Sequence, residues 1–303
     1  MDRSDRLTSS SEFARLPSQT VVGVVGIDRI RHDKTEHAPR LGGAAVYFAL
    51  ARRALCAEAI VVTTLGPDLG AVALTRLRQV GIEVQAFKSR SDVAFDIVYT
   101  VGADDGRSLL LSGVDESAFG RLPDSLTLSG AYHLCPLPTS AYLACVDRLV
   151  RDSRRFSTNV SSTLFDQKSR LLEAIPHATL CFLNRHEAGI VTGLAEPNAA
   201  AKALATRASG RAVVTGPSSV VVADGSRAAE VHFSGGDVVE PTGMGDAFAA
   251  GFAAATEAGA DLSEAASTGH RLALLTGSEP GTDALFSALG APGAGHLEQS
   301  HNR

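Results

Sequence analysis

The chain has 303 residues, a length that a single large domain with a minor appendage accommodates. Hydrophobic residues make up 45% of the sequence and charged residues 20%, which excludes a wholly disordered chain. The formal net charge of -5, with no long run of Lys or Arg, excludes the basic surface that binding to nucleic acid requires.

Residues 1–19 are polar and hold no apolar stretch of the kind that forms a signal-peptide core. No later run reaches the roughly 20 apolar residues of a membrane-spanning helix. The four cysteines lie far apart, without the close pairs of a zinc site or a dense disulfide framework. These features predict a cytoplasmic protein with free thiols, no membrane partner, and a disordered or loosely ordered tail over residues 1–19.

The first ordered elements are predicted to be a strand, a helix and a second strand. Residues 20–26 are apolar and end in glycine, which is typical of a buried strand, and Asp28 follows just beyond it. Gly42 and Gly43 form a turn that opens a helix, and residues 59–63 are predicted to form the next strand. This order begins an α/β fold.

The next segment has the alternation of a two-stranded hairpin. Apolar residues occupy every second position at Val93, Phe95, Ile97, Tyr99 and Val101. An Asp-Asp-Gly turn at residues 104–106 and a strand over residues 108–111 follow. An antiparallel hairpin with one apolar face is predicted.

The rest of the chain returns to alternating strands and helices, which predicts a mainly parallel sheet. Strands are predicted at residues 130–134, 156–160, 179–183, 212–215, 220–223 and 228–233. Helices are predicted at residues 139–150, 199–208, 246–257 and 262–276. Residues 290–303 lack periodicity and are predicted to be a disordered tail.

The strongest signal for chemistry is the segment Thr242-Gly243-Met244-Gly245-Asp246, called the glycine turn below. Two glycines one residue apart lead directly into an alanine-rich helix, so backbone N–H groups and the helix dipole would face a developing negative charge. Asp246, in the first turn of that helix, is the candidate general base for an attacking hydroxyl. A purely structural alternative is a tight turn followed by an aspartate that caps the helix.

A second signal is Asn184 with Glu187, which follow an apolar strand at positions i and i+3 of an opening helix. They would lie near the carboxyl end of the strand, where ligands commonly bind in such sheets. A capping box at the start of the helix is the structural alternative, and both interpretations hold together.

These segments occur in an order that resembles the ribokinase-like, or PfkB-type, family of carbohydrate kinases. The resemblance is carried by residues 23–28, Gly42-Gly43, Asn184-Arg185-His186-Glu187 and the glycine turn, and it spans about residues 21–289. It implies an α/β, three-layer sandwich with a mainly parallel central sheet and a small β-sheet lid. The kinase domain would cover residues 20–289, with the lid formed by about residues 28–41 and 92–112.

The resemblance also assigns an acceptor site. Asp28 matches the acidic residue that binds acceptor hydroxyls, and a carboxylate suits that role because it only accepts hydrogen bonds. Gly42 and Gly43 match the paired glycines that lie against the acceptor. Tyr47 stands where sugar kinases of the family often carry asparagine, so the acceptor is not expected to be ribose. Gly243, Met244 and Gly245 would form the anion hole beside Asp246.

The implied phosphoryl donor is ATP with Mg²⁺. Asn184 and Glu187 would organise the metal and the phosphates, with Glu187 acting through water because magnesium keeps much of its hydration shell. Thr215, Gly216 and Thr242 are expected nucleotide contacts. Glu240-Pro241 and Met244 depart from the usual family residues, so the resemblance leaves dependence on a monovalent cation open, and we do not predict a potassium requirement.

The predicted function is ATP-dependent phosphorylation of a hydroxyl on a small sugar, sugar derivative or cyclitol. A nucleoside kinase of the same fold is one alternative. A regulator that binds sugar or nucleotide without transferring phosphate is another. The sequence leaves open whether the chain forms a homodimer through the lid. The sequence has no GxxxxGK[ST] phosphate loop and no HRD or DFG protein-kinase signature.

Overall fold

The structure of the protein is a computed structural model that describes residues 12–32, 35–100, 107–126, 130–161, 172, 175–208 and 210–293. The predicted turn at residues 104–106 lies outside the described residues, as do residues 1–11 and 294–303 of the predicted tails. Within the described part of the chain, fourteen strands form two sheets, and nine α-helices surround them.

The strands are, in chain order, β1 (Gln19–Val22), β2 (Gly26–His32), β3 (Thr35–Glu36), β4 (Arg40–Gly42), β5 (Ala59–Leu65), β6 (Glu83–Lys88), β7 (Ala94–Tyr99), β8 (Arg107–Ser112), β9 (Ala131–Leu134), β10 (Phe156–Asn159), β11 (Leu180–Asn184), β12 (Arg211–Thr215), β13 (Ser219–Asp224) and β14 (Arg227–His232). The helices are α1 (Ala44–Ala54), α2 (Leu69–Gln79), α3 (Glu116–Phe119), α4 (Thr139–Arg151), α5 (Arg185–Thr192), α6 (Pro197–Ala205), α7 (Met244–Glu257), α8 (Leu262–Thr276) and α9 (Asp283–Ala288). None of these helices has both the length and the apolar character that a membrane span requires.

The large sheet has nine strands in the order β14-β13-β12-β11-β10-β9-β1-β5-β6. The seven strands β12, β11, β10, β9, β1, β5 and β6 run parallel to one another. At the other edge, β13 is antiparallel to β12, and β14 is antiparallel to β13. Successive residues of a strand point to opposite faces. Val21 therefore packs with helices α1, α7 and α8, whereas Val22 packs with α4, α5 and α6. The predicted three-layer α/β fold is confirmed.

The second sheet has five strands and is called the lid sheet below. Its order is β3-β2-β7-β8, with β4 paired to the other side of β2. Strands β7 and β8 are antiparallel, as predicted for this hairpin, and β2 runs parallel to β7. The register places Asp28 beside Phe95 and His32 beside Tyr99, so these side chains share one face of the lid sheet.

The predicted continuous strand over residues 20–26 is wrong in one respect. Strand β1 ends at Val22, and the chain bends before β2 begins at Gly26 in the other sheet. In the bend, the N–H of Val25 donates to Oγ1 of Thr63 at 3.2 Å, which replaces a ladder hydrogen bond. Asp28 consequently lies inside a strand of the lid sheet rather than just beyond a strand.

Candidate active site

One cleft contains all of the predicted site residues except Gly42. Its volume is about 630 Å³, and it lies between the lid sheet and the carboxyl ends of three parallel strands. Those strands, β10, β11 and β12, end at Asn159, Asn184 and Thr215. The position follows from topology, because the carboxyl ends of parallel strands open at the same edge of the sheet.

The glycine turn has its shape because Gly243 adopts a left-handed backbone conformation, with φ of +78°. A Cβ at this position would lie 2.1 Å from Cδ1 of Tyr47, so the ring occupies the space that a side chain would need. Only glycine satisfies both demands without strain. Gly243 also provides the N-cap of α7.

Gly245 differs, because a Cβ built there would meet nothing within 4 Å. Among the described residues, none accepts a hydrogen bond from the backbone N–H of Gly243 or Gly245. Both amides lie at the amino end of α7, where the helix dipole favours an anion. The amide of Met244 is already used, since it donates to the carbonyl of Pro241 at 3.2 Å. The turn therefore offers two glycine amides to an anion, and Met244 contributes none.

Asp246 lies in the first turn of α7, and its side chain faces the cleft. Its Oδ1 accepts a hydrogen bond from Nδ2 of Asn159 at 2.6 Å. Asn159 is the last residue of β10 and is buried. The carboxylate is therefore held by a strand of the central sheet, and the capping position of the helix belongs to Gly243.

Asp28 is a buried carboxylate at the end of the cleft that the lid sheet borders, and it is only 1% exposed. This end of the cleft is called the acceptor end below, after the predicted role of Asp28. Its Oδ2 accepts a hydrogen bond from the hydroxyl of Tyr47 at 2.7 Å. Burial raises the pKa of Asp28 to about 7, although the hydrogen bond from Tyr47 opposes that rise. A Cβ at Gly42 would lie 2.0 Å from this Oδ2, so Gly42 makes room for the carboxylate itself.

Gly43 has a φ of +91°, and a Cβ there would lie 2.4 Å from the carbonyl oxygen of Val24. Its backbone N–H donates a hydrogen bond to Asp28. The paired glycines thus have different roles: Gly42 leaves space for the carboxylate of Asp28, and Gly43 donates a hydrogen bond to it. Tyr47, predicted to contact the acceptor, is buried with its hydroxyl directed at Asp28.

The lid sheet closes the cleft with an apolar face. Phe95 and Ile97 of β7 and Leu109 and Leu111 of β8 line it. Beyond this apolar face, the hydroxyl of Tyr99 lies 2.8 Å from Oγ1 of Thr242. The lid sheet therefore touches the glycine turn directly.

Glu240 is fully buried and holds the start of the glycine turn by a hydrogen bond. Its Oε1 accepts from the N–H of Thr242 at 2.7 Å, and its Oε2 accepts from the N–H of Gly281 at 3.1 Å. On the lid sheet, Nε2 of His32 lies 3.9 Å from Oε1 of Glu240. The carboxylate thus joins two backbone segments, and each of its oxygens accepts a hydrogen bond.

Asn184 and Glu187 form the capping box that the sequence allowed. The N–H of Glu187 donates to Oδ1 of Asn184 at 2.8 Å, and the N–H of Asn184 donates to Oε2 of Glu187 at 2.9 Å. Both residues line the cleft. No group of three or more potential metal ligands occurs in the described ranges. Two oxygen-bearing side chains at an open cleft suit Mg²⁺ that keeps most of its water.

A second cavity of about 190 Å³ adjoins the cleft and shares five lining residues with it: Thr215, Gly216, Pro217, Met244 and Gly245. Its apolar walls are Val220, Phe233, Val238, Phe248 and Leu274. The side chain of Arg185 lines the cleft beside these shared residues. It crosses Gly216, where a Cβ would lie 2.2 Å from its Nε, and its Nη2 donates to Oγ of Ser219 at 2.7 Å.

Sequence reasoning missed three residues of this site: Asn159, Tyr99 and Arg185. Asn159 ends a predicted strand of the parallel sheet, and that position was itself a signal. Tyr99 belongs to the apolar alternation of the hairpin. That pattern indicated which face of the hairpin Tyr99 lies on, but not its contact with Thr242. Arg185 lies inside the motif between Asn184 and Glu187, but no pattern in the sequence indicated its contact with Gly216.

The chain is similar to known proteins in both sequence and fold. The sequence model described as the pfkB family of carbohydrate kinases matches residues 31–288. A cytidine kinase of Thermococcus kodakarensis is 25% identical over 253 residues, which are 80% of this chain and 90% of that protein.

Two solved structures show the same fold. The nucleoside kinase of Burkholderia thailandensis in complex with inosine superposes with a TM-score of 0.75 at 19% identity, over 90% of this chain and 99% of that chain. A pyrophosphate-dependent kinase in the ribokinase family superposes with a TM-score of 0.73 at 20% identity, over 87% of this chain and 96% of that chain.

Proposed function

Because the chain belongs to the pfkB family of carbohydrate kinases, we propose that it transfers the terminal phosphoryl group of ATP to a hydroxyl of a nucleoside. Family membership makes the chain a phosphotransferase with a hydroxyl acceptor. The nucleoside, the donor and the role of each residue are the proposal. A bare sugar or cyclitol, which the sequence favoured, is the competing acceptor.

The observation that carries the proposal is the mixed character of the acceptor end of the cleft. Asp28 offers a carboxylate to hydroxyl groups, as the ribose of a nucleoside requires. The apolar face of the lid sheet lies on the same side, with Phe95 beside Asp28 in the register. A flat base would bury its faces against such a wall, whereas a bare sugar or inositol would leave that wall without an apolar partner.

The names of the similar proteins support the same choice. The relative from Thermococcus is a cytidine kinase, and the superposed structure from Burkholderia is a nucleoside kinase with inosine bound. One carries a pyrimidine acceptor in its name and the other a purine. Together they support a nucleoside as the acceptor of this chain, but they do not indicate which base it carries.

The second cavity supports ATP as donor. Its apolar walls would receive the adenine. Gly216 and Gly245 line both spaces, and Arg185 lies over Gly216, so a polyphosphate would pass these residues to reach the cleft. Pyrophosphate, the donor named for the other superposed structure, has no base to fill this space. Arg185 supplies positive charge where the phosphates would pass.

Asn184 and Glu187 would hold Mg²⁺ through water, at the carboxyl end of β11. When bound with ATP, the metal would reduce the negative charge on the phosphates. The capping box fixes both side chains before any ligand arrives, because each accepts a hydrogen bond from the other's backbone.

In the proposed reaction, Asp246 accepts the proton of the attacking hydroxyl while Asn159 holds its carboxylate in place. The acceptor oxygen forms a bond to the γ-phosphorus, and the bond from that phosphorus to the bridging oxygen breaks, so ADP leaves. The amides of Gly243 and Gly245 face the charge on the transferring group. The contact between Tyr99 and Thr242 keeps the lid sheet over this turn and limits access of water.

A panel of acceptors tests the proposal. Nucleosides, pentoses, hexoses and inositols are each offered with MgATP, and ADP release is measured; the same panel is repeated with pyrophosphate as donor. We expect turnover with nucleosides and ATP. Turnover restricted to a sugar or an inositol would refute the nucleoside, and nucleotide binding without turnover on any acceptor would support the non-catalytic regulator.

A further inference from the structure

Tyr47 lies between the acceptor end of the cleft and the glycine turn. We propose that Tyr47 is a positioning residue that serves both: its hydroxyl fixes the carboxylate of Asp28, and its ring supports Gly243. The inference rests on the proposed function, in which Asp28 binds the acceptor and the glycine turn faces the donor. It differs from a direct contact between Tyr47 and the acceptor, because Tyr47 acts through the two groups it touches.

The contact with Asp28 leaves the carboxylate little freedom. The hydroxyl of Tyr47 lies 2.7 Å from Oδ2, and both side chains are 1% exposed. Gly43 donates its N–H to the same carboxylate, which packs closely against the backbone of Gly42. A side chain held from three sides presents its remaining acceptor capacity in one direction, which is the condition for binding a hydroxyl group with defined geometry.

The contact with Gly243 is made by the ring. A Cβ at Gly243 would lie 2.1 Å from Cδ1 and 2.3 Å from Cγ of Tyr47, so the ring packs against the backbone of the glycine turn. Tyr47 is in the first turns of α1, a helix buried along most of its length. The ring is therefore a rigid support for the segment whose amides would face the phosphoryl group.

The hydroxyl of Tyr47 also helps to keep Asp28 ionised, because the surroundings of Asp28 disfavour its charged form. Burial and the negative charges of Glu240 and Asp246 all favour the protonated form of Asp28, and the hydrogen bonds from Tyr47 and Gly43 oppose them. Burial also raises the pKa of Tyr47 well above its ordinary value, so its hydroxyl keeps its proton as a donor. Without that donor, less of Asp28 would be ionised at neutral pH.

The first test is Tyr47→Phe, which keeps the ring and removes only the hydroxyl. We expect the KM for the acceptor to rise about 10- to 100-fold, the loss expected for a hydrogen bond to a charged group, with the KM for ATP nearly unchanged. The acidic limb of kcat/KM should move to higher pH. Tyr142→Phe is the matched control: it removes another buried hydroxyl, 2.9 Å from Oγ1 of Thr158 and outside the cleft, and should leave both KM values as they are.

The second test is Tyr47→Leu, which also removes the ring. We expect kcat to fall in this variant and to stay near the wild-type value in Tyr47→Phe. An unchanged acceptor KM and pH profile in Tyr47→Phe would overturn the link to Asp28. A wild-type kcat in Tyr47→Leu would overturn the support of the glycine turn.

A third measurement needs no substrate. Carboxyl ¹³C NMR follows the titration of Asp28, with the resonance identified by its absence in Asp28→Asn. Its midpoint should lie higher in Tyr47→Phe than in the wild type, and an equal midpoint would overturn the inference. Because this readout does not depend on the acceptor, it separates failure of the inference from failure of the proposed nucleoside kinase activity.

Discussion

Nδ2 of Asn159 lies 2.6 Å from Oδ1 of Asp246, so the last residue of a central strand holds the side chain at the start of helix α7. The two residues are 87 positions apart in sequence. The hydrogen bond leaves Asn159 with a buried Oδ1 that has no partner among the described residues. A buried polar atom without a partner costs free energy, and in a cleft a substrate hydroxyl or a water would satisfy it.

Asp246→Asn preserves size and removes the proposed base. We expect kcat to fall about 10²- to 10⁴-fold, because that is the usual contribution of a general base. Nucleotide affinity, measured by calorimetry with ADP, should stay close to wild type. A variant with near-wild-type turnover would contradict the assigned role.

Asn159→Ala tests the side chain that holds Asp246. We expect kcat to fall about tenfold, because the carboxylate loses one hydrogen bond that orients it, with the acceptor KM changing less. Steady-state kinetics on both substrates gives the two values. Equal kcat in the variant and the wild type would show that Asp246 needs no such support.

The two glycines of the turn should respond differently to alanine. Gly243→Ala places a side chain in the left-handed region against Tyr47, so we expect the free energy of unfolding to fall by about 2 kcal/mol or more. Gly245→Ala meets no protein atom within 4 Å, so its stability should be near wild type.

In Gly245→Ala the methyl group would project into the cleft, and we expect kcat/KM for ATP to fall about 10- to 100-fold. Thermal unfolding and kinetics of the two variants, measured side by side, separate the effects. Full activity in Gly245→Ala would argue against close approach of a phosphate to this amide.

The pH dependence should report Asp28. Its pKa is about 7 in the folded protein, against an ordinary value of 3.8, so the carboxylate is lost as the pH falls below 7. We expect kcat/KM for the acceptor to fall by about tenfold for each pH unit below that midpoint. Asp28→Asn should have a low kcat/KM and lack this limb.

The same shift has the opposite sign for stability. Between pH 4 and pH 7 the folded state binds more protons at Asp28 than the unfolded state does, so this group stabilises the fold at low pH and the contribution is lost as the pH rises through about 7. Unfolding in urea at pH 5 and pH 8 measures it. Asp28→Asn should reduce the difference between the two pH values.

Arg185→Gln tests the cation at the junction of the two cavities. We expect the KM for ATP to rise about tenfold, because a charged hydrogen bond to a phosphate would be lost. Arg211→Gln is the control, since its exposed side chain pairs with Asp224 at 3.5 Å and does not line either cavity. An equal effect of the two substitutions would refute a specific contact.

Much of the fold follows from local patterns in the sequence. The buried strands are short apolar runs, the hairpin β7–β8 alternates, and a glycine turn precedes α7, so each was predicted close to its observed place. Helix α2 was missed although Leu69, Ala73 and Leu77 repeat every four residues on its buried face. The arginines at positions 76 and 78 interrupt the apolar pattern in the last turn of this helix and make it less distinct.

The contacts within the site were beyond local patterns. Tyr47 meets Gly243, and Asn159 meets Asp246, only because the parallel topology brings distant ends of strands and helices to one edge. The sequence indicated residue types for the cleft, but the pairing of side chains is decided by packing between segments. The break between β1 and β2, which moves Asp28 into the lid sheet, was hidden for the same reason.

Asp28 belongs to β2, and β2 is a strand of the lid sheet. The carboxylate proposed to bind the acceptor is thus part of the sheet that closes the cleft. Any displacement of the lid sheet away from Thr242 would move Asp28 with it. A phosphorylated product would be released by the same movement that uncovers it, so exit from the site and loss of the anchoring hydrogen bonds would be one event.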